Sequence, residues 1–228
     1  MKALALILIA GTAFAGTASI VSSFKSPPQP PQGIDYYGGY VYIAAPPGAI
    51  YKTTTTGSIA LTIRANPVGP GLDRTNTNFW TTGGRAIFKL STTGSWVGTI
   101  PIPTDGRGVA FGGGFLWLSG NNNYIYKILP GGSIVTTFRV GYVNPGGICY
   151  YNEQLWIADT NGPIAHATTT GSLIESYTGS ISPYGITCEG QYVWYSDLKS
   201  GWVYKMLPIP YGTPVAPASL GQIKTLYR

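Results

Sequence analysis

The chain has 228 residues, 44% hydrophobic and 13% aromatic but only 10% charged, with a formal net charge of +6. That charge content is far below the roughly 25% of an average soluble domain, while the apolar content is high enough to drive collapse and exclude intrinsic disorder. The 32 glycines and 18 prolines lack collagen's three-residue period and exclude a heptad coiled coil, and the scattered basic residues form no stripe that would track nucleic acid.

In chain order, Met1-Lys2 is a basic start and Ala3 to Ala10 an apolar run, followed by Ala13-Phe14-Ala15. This is the pattern of a secretory signal, predicted to span residues 1–15 with cleavage before Gly16. Cleavage would remove Lys2 and leave a formal charge of +5. Apolar character ends after about fifteen residues, short of the roughly 20 that a spanning helix needs, so no membrane span is expected.

Ser19-Ile20-Val21-Ser22-Ser23-Phe24 then reads as a strand. After it a unit of about 40 residues recurs five times. Each copy opens on a glycine and an aliphatic residue, with a bulky aromatic eight positions beyond the aliphatic one. The copies are Gly33-Ile34 to Tyr42, Gly71-Leu72 to Trp80, Gly108-Val109 to Trp117, Gly147-Ile148 to Trp156 and Gly185-Ile186 to Trp194. An aliphatic-x-basic triplet follows in each, ending at Lys52, Lys89, Lys127, His166 and Lys205. Four copies then carry a Gly-Ser pair, at Gly57-Ser58, Gly94-Ser95, Gly132-Ser133 and Gly171-Ser172, each opening a β-branched stretch. Counted from Ser19, these serines lie 39, 37, 38 and 39 residues apart.

Each unit reads as four short strands separated by Gly, Pro, Asn and Thr turns, the size of a propeller blade. The last unit has three strands and lacks the Gly-Ser pair, whereas the first is preceded by a fourth-type strand. The expected fold is therefore all-β, a five-bladed β-propeller over residues 16–207 whose N-terminal strand closes the last blade. An open solenoid of stacked sheets is the alternative. Residues 208–228 form a proline-rich connector and a short tail, where Leu220, Ile223, Leu226 and Tyr227 fall at helical spacing.

The pattern Pro145-Gly146-Gly147-Ile148, Leu155-Trp156-Ile157-Ala158-Asp159 and Gly171-Ser172 resembles the NHL and virginiamycin B lyase-like propeller repeats. The resemblance covers roughly residues 19–207 and implies architecture more than activity, because such blades serve lyases, hydrolases, lectin-like binders and scaffolds. Relatives of this kind usually have six or seven blades, so five is a departure. The lyase subset depends on a histidine near the channel, and no residue here matches it. His166 sits in the lysine column and reads as an ordinary surface residue.

Asp35 and Asp73 share a column two residues after the glycine, close to the expected channel. Two carboxyls there could hold a divalent cation or act as an acid–base pair, or each could cap backbone amides. Asp159 and Asp197, at the ends of second strands, are expected to cap turns. Arg74, Arg107 and Tyr184 are assigned to loops of the same face, where guanidinium groups and an aromatic ring could hold an anionic or sugar ligand. Cys149 is two residues after its glycine and Cys188 three after its own, so alternation along a strand makes them face each other across one blade interface. A disulfide between them is expected in an exported protein, with two buried free thiols as the alternative.

The reading that these features support is a secreted, non-catalytic propeller. It would bind a carbohydrate, small molecule or protein through Asp35, Asp73, Arg74, Arg107 and Tyr184, or assemble with itself at a surface. No cofactor or metal is called for. The competing reading is a hydrolase or lyase using Asp35 and Asp73, with or without a divalent metal.

Overall fold

The computed structural model describes residues 14–141, 143–178 and 182–210. Most of the expected signal and all of the expected tail helix lie outside these residues. Every regular element among the described residues is a strand, and no helix there is long and apolar enough to cross a membrane.

Strand β1 (Phe14–Lys25) precedes four-stranded antiparallel meanders. The first comprises β2 (Ile34–Tyr37), β3 (Tyr40–Ala45), β4 (Ala49–Thr53) and β5 (Ile59–Arg64). The second is β6 (Leu72–Arg74), β7 (Asn78–Gly83), β8 (Ala86–Ser91) and β9 (Trp96–Pro101). The third runs through β10 (Gly106–Gly112), β11 (Phe115–Gly120), β12 (Ile125–Ile128) and β13 (Ile134–Phe138). The fourth is β14 (Pro145–Tyr151), β15 (Gln154–Asp159), β16 (Ile164–Thr168) and β17 (Leu173–Tyr177). The chain ends its regular structure with β18 (Pro183–Glu189), β19 (Tyr192–Asp197) and β20 (Trp202–Ile209).

The last three strands are completed by β1, which pairs antiparallel with β20 over Thr17 to Lys25. This is the one-strand offset that the sequence predicts. The sheets nevertheless number three of four strands and one of eight, in the order β14-β15-β16-β17-β1-β20-β19-β18. The expectation of separate four-stranded sheets fails at one place, where Phe14 to Gly16 pair parallel with Glu175 to Tyr177. An outermost strand leaves a row of unpaired amides and carbonyls, and the extension of β1 covers part of that edge.

The first strands of the five repeats, β2, β6, β10, β14 and β18, neighbour one another in a closed ring. Their opening glycines allow it. A Cβ on Gly71 would lie 2.9 Å from Gly108 Cα, one on Gly108 2.7 Å from Gly147 Cα, and one on Gly147 3.0 Å from Gly185 Cα. On Gly185 it would lie 2.9 Å from Gly33 Cα, and on Gly33 2.6 Å from the Leu72 amide nitrogen, which closes the circle. Side chains cannot occupy backbone contacts this close, so glycine is required at each. With Ile34, Leu72, Val109, Ile148 and Ile186, these glycines line the axis and leave no volume for a water molecule.

Between neighbouring sheets lie apolar clusters such as Tyr42, Ile50, Phe79 and Leu90, and Trp80, Ile87, Leu116 and Ile128. Second strands are buried on both faces, as in β3 and β7, which explains the scarcity of charge. Outermost strands are open, and they expose Ile59, Leu61, Trp96, Val97, Ile134 and Val135.

Candidate functional site

Below the glycine collar, the second residue after each glycine points towards the following sheet and the third towards the preceding one. The second-residue layer is Asp35, Asp73, Ala110, Cys149 and Thr187. The Thr187 hydroxyl donates to Asp35 Oδ1 at 2.7 Å and accepts the Tyr36 N–H at 3.2 Å. Asp35 Oδ2 accepts the Arg74 N–H at 3.2 Å. The Phe111 amide faces the Asp73 carboxyl, but Asp73 Oδ2 is buried with no hydrogen-bond partner. Burial raises the Asp35 pKa to about 7, against the hydrogen bonds from Thr187 and Arg74. Burial and then the neighbouring Asp35 charge hold Asp73 well above the usual carboxylate range. Both carboxyls therefore meet backbone amides beneath a closed axis, rather than converging in an open channel. Among the described residues, no group of three His, Cys, Asp or Glu side chains is placed to hold a metal ion.

The third-residue layer meets the aromatic column of the preceding sheet. Tyr36 stacks on Trp194 with centroids 6.1 Å apart, Phe111 on Trp80 at 6.1 Å, and Tyr150 on Trp117 at 5.7 Å. Arg74 takes the same place in the second repeat, its guanidinium carbon 5.0 Å from the Tyr42 ring and 3.9 Å from that of Tyr37. The lysine column lies against the aromatic column through cross-strand pairs such as Trp80 with Lys89 and Trp117 with Lys127. Lys89 Nζ is 5.2 Å from the Trp80 ring, and Lys127 Nζ is 3.9 Å from the Phe115 ring.

His166 departs from its expected role as an ordinary surface residue. It is half-buried, its ring stacks 4.1 Å from Trp156, and Nε2 lies 2.7 Å from Gln154 Oε1. Nδ1 is buried without a partner, and burial lowers the pKa. The cross-strand pairing of Trp156 with His166 carries the imidazole onto the indole instead of into solvent.

Several clefts open on this side of the collar. One of about 660 Å³ is lined by Asp73, Arg74, Asn78, Trp80, Lys89 and Phe111, among others. Arg74 Nε and Nη1 are buried there without hydrogen-bond partners. A second cleft of about 230 Å³ is bordered by Trp156, Gln154, Tyr192 and Cys188. The sulfurs of Cys188 and Cys149 are 2.8 Å apart, so the two cysteines do face each other across the interface.

At the opposite end, Arg107 donates to Asn144 Oδ1 at 2.7 Å, to the Pro145 carbonyl at 3.2 Å and to Asn121 Oδ1 at 2.6 Å. Those bonds tie the β11–β12 and β13–β14 loops to β10. Tyr184 is half-buried nearby, and burial raises its pKa while the Arg107 charge lowers it. Asp159 and Asp197 cap backbone amides as expected, at Asn161 and at Lys199 and Ser200. The predicted residues therefore form two groups. Arg107 and Tyr184 lie above the collar, while Asp35, Asp73 and Arg74 lie below it, on the side of the first hairpin turns. Trp80, Lys89 and Phe111 were not singled out by the sequence, although all three stand in visible columns. Their convergence depends on cross-strand register, which the columns alone do not give.

No protein-family model matches the chain, and no curated protein is significantly similar to it in sequence. Among solved structures it is similar to a glutaminyl cyclase from Myxococcus xanthus, at 13% identity with a TM-score of 0.74, over 87% of this chain and 99% of that one. It is also similar to the WD40 β-propeller domain of Doa1, at 14% identity and a TM-score of 0.52, over 76% of this chain and 62% of that domain. The Neurospora crassa Pan2 WD40 domain matches at 15% identity and a TM-score of 0.50, over 85% of this chain and 72% of that one. The fold is a β-propeller, built of repeats.

Proposed function

We propose that this chain is an exported, five-bladed propeller that binds a small polyhydroxylated ligand in the cleft between its second and third blades. The closed circle of five glycines and the completion of the last meander by β1 support five blades, with the eight-stranded sheet read as two blades joined by the start of β1. The repeat pattern supports blades of NHL type, and the N-terminal apolar run supports export.

One observation carries the binding reading. Asp73 Oδ2 and Arg74 Nε and Nη1 are buried, unpaired polar atoms beside the same cleft. Each such atom costs about 1–3 kcal/mol unless something pairs with it. A sugar presents adjacent hydroxyls, each both donor and acceptor, so once the Asp73 and Arg74 side chains turn towards the cleft one hydroxyl can donate to the carboxyl and the next accept from the guanidinium. Lys89, Asn78 and the rings of Trp80 and Phe111 supply the remaining wall.

A panel of soluble neutral and acidic oligosaccharides, screened by calorimetry, tests this. Binding by the native chain that Asp73→Ala or Arg74→Met weakens at least about tenfold, the loss expected when a hydrogen bond is broken and its buried partner is left unpaired, supports the cleft. Binding unaffected by both variants, or no binding across the panel, refutes it. The enzymatic reading keeps one supporting observation, since Asp73 is a protonatable carboxyl at the cleft. Mass spectrometry of a bound oligosaccharide over time separates the two, because hydrolysis needs a changed product and binding does not. Self-assembly is judged by light scattering, and export by the mass of the mature chain.

A further inference from the structure

The interface between the fourth and fifth blades breaks the rules that hold the others together. In three interfaces an aromatic residue, Tyr36, Phe111 or Tyr150, stacks on the aromatic column of the preceding blade, and in a fourth Arg74 does so. Cys188 fills that place here, and Trp156 stacks within its own blade on His166 and Tyr177 instead. In the layer above, where Asp35 and Thr187 make polar bonds to the next blade, stands Cys149. Two columns thus change to cysteine at one interface, and the change brings the sulfurs within 2.8 Å of each other. A disulfide bond is about 2.05 Å long, so a movement of under about 1 Å would join them.

The two sulfurs are not equally reachable. Cys149 is buried beside the axis, whereas Cys188 is half-buried and borders the cleft of about 230 Å³. We propose that Cys149 and Cys188 are a reversible covalent latch between the fourth and fifth blades, closed and opened by small thiol reagents that enter this cleft and react at Cys188. In closing, the Cys188 thiolate attacks a low-molecular-weight disulfide, forming a mixed disulfide and releasing one thiol. Cys149, after losing its proton to water, attacks Cys188 Sγ and expels the second thiol. The two cysteines lose two electrons and two protons, and the reagent is reduced to two thiols. Opening is the reverse, with an external thiolate attacking Cys188 and Cys149 leaving. The hydrogen bond with Cys188, together with burial, pushes the Cys149 thiol up, which keeps it the slower partner towards outside reagents.

The test uses the full chain and needs no ligand. After incubation with oxidised glutathione, denaturation and iodoacetamide, the intact mass should show no alkylation and no retained glutathione, with a monomer on a non-reducing gel. Dithiothreitol treatment should restore two alkylatable thiols. In the folded, reduced chain, iodoacetamide should label Cys188 at least about tenfold faster than Cys149, as thiol exposure dictates. Cys149→Ser should retain one glutathione on Cys188, and Cys188→Ser should retain none. Two free thiols after oxidation, glutathione stranded on the native chain, or faster labelling of Cys149 would each overturn the latch. If either variant fails to give the β-type circular dichroism of the native chain, the native labelling pattern alone decides.

Discussion

Asp35 keeps its proton up to about pH 7 in the folded propeller, because burial raises its pKa from an ordinary 3.8. In the unfolded chain the carboxyl is solvated and releases its proton near that ordinary value. Between the two, the folded state binds more protons than the unfolded one, so stability falls as pH rises. The contribution is fully present below about pH 4 and is lost as pH rises through about 7. A gap of about three units at roughly 1.4 kcal/mol each gives a loss of about 4 kcal/mol across the window. Asp73, raised in its turn by burial and by the charge on Asp35, acts with the same sign.

Two groups act against this. His166 has a pKa lowered by burial, so it favours the folded state more as pH rises through its range. Glu189 is raised by burial but lowered further by its bonds to Lys205 and Trp194, and its contribution disappears as pH falls. The comparison that reports Asp35, together with the part of the Asp73 shift that its charge causes, is therefore native chain against Asp35→Asn, by urea unfolding at about pH 4.5, 5.5, 6.5 and 7.5. The asparagine cannot titrate, so the stability difference should move against the native chain by about 3–4 kcal/mol from the lowest to the highest pH. A difference that is flat with pH, or that moves towards the native chain, refutes the assignment of a buried, protonated Asp35.

Gly108→Ala places a Cβ 2.7 Å from Gly147 Cα, where only backbone could give way, and should lower unfolding stability by about 2–4 kcal/mol. Gly98→Ala, with nothing within 4 Å of the new atom, is its control and should change stability by less than about 0.5 kcal/mol. Lys127→Met removes an ammonium 3.9 Å from the Phe115 ring and should cost about 0.5–1 kcal/mol in the same assay; no change would show that the stacked lysines do not contribute.

The closing of the last blade by β1 was legible from the one-strand offset and the meeting of the two cysteines from parity, whereas the expected channel is closed by the ring of glycines. A repeat turns parity along a strand into direction around the ring, so a residue's offset from its glycine says which neighbour it faces. The same parity places Arg74, three residues after Gly71, against the first blade rather than in a loop. The parallel pairing of Phe14 to Gly16 left no such sign, because three residues have no periodicity and their partner strand lies about 160 residues away in the chain. The Trp–Lys stacks needed the register between second and third strands, which is set by turn length rather than by column identity.

Parity also explains why the unpaired carboxyl falls at Asp73. Thr187, in the blade before Asp35, points forward and donates its hydroxyl to that carboxyl while accepting the Tyr36 amide. The residue that stands in the same relation to Asp73 is Asp35, a second carboxyl whose charge raises the Asp73 pKa. A polar atom left without a partner beside a cleft is thus the result of one substitution in a column of five. Asp35→Thr restores the repeat. The introduced hydroxyl can accept from Thr187 and from the Arg74 amide and donate to Asp73, as Thr187 does one blade earlier. The variant should gain about 1–3 kcal/mol at neutral pH, the value of satisfying a buried acceptor. Any oligosaccharide that depends on Asp73 should bind it less tightly, because the carboxyl is already engaged. A loss of stability at neutral pH would show that Asp73 Oδ2 is paired by solvent in the native chain, and the argument for the cleft would fall with it.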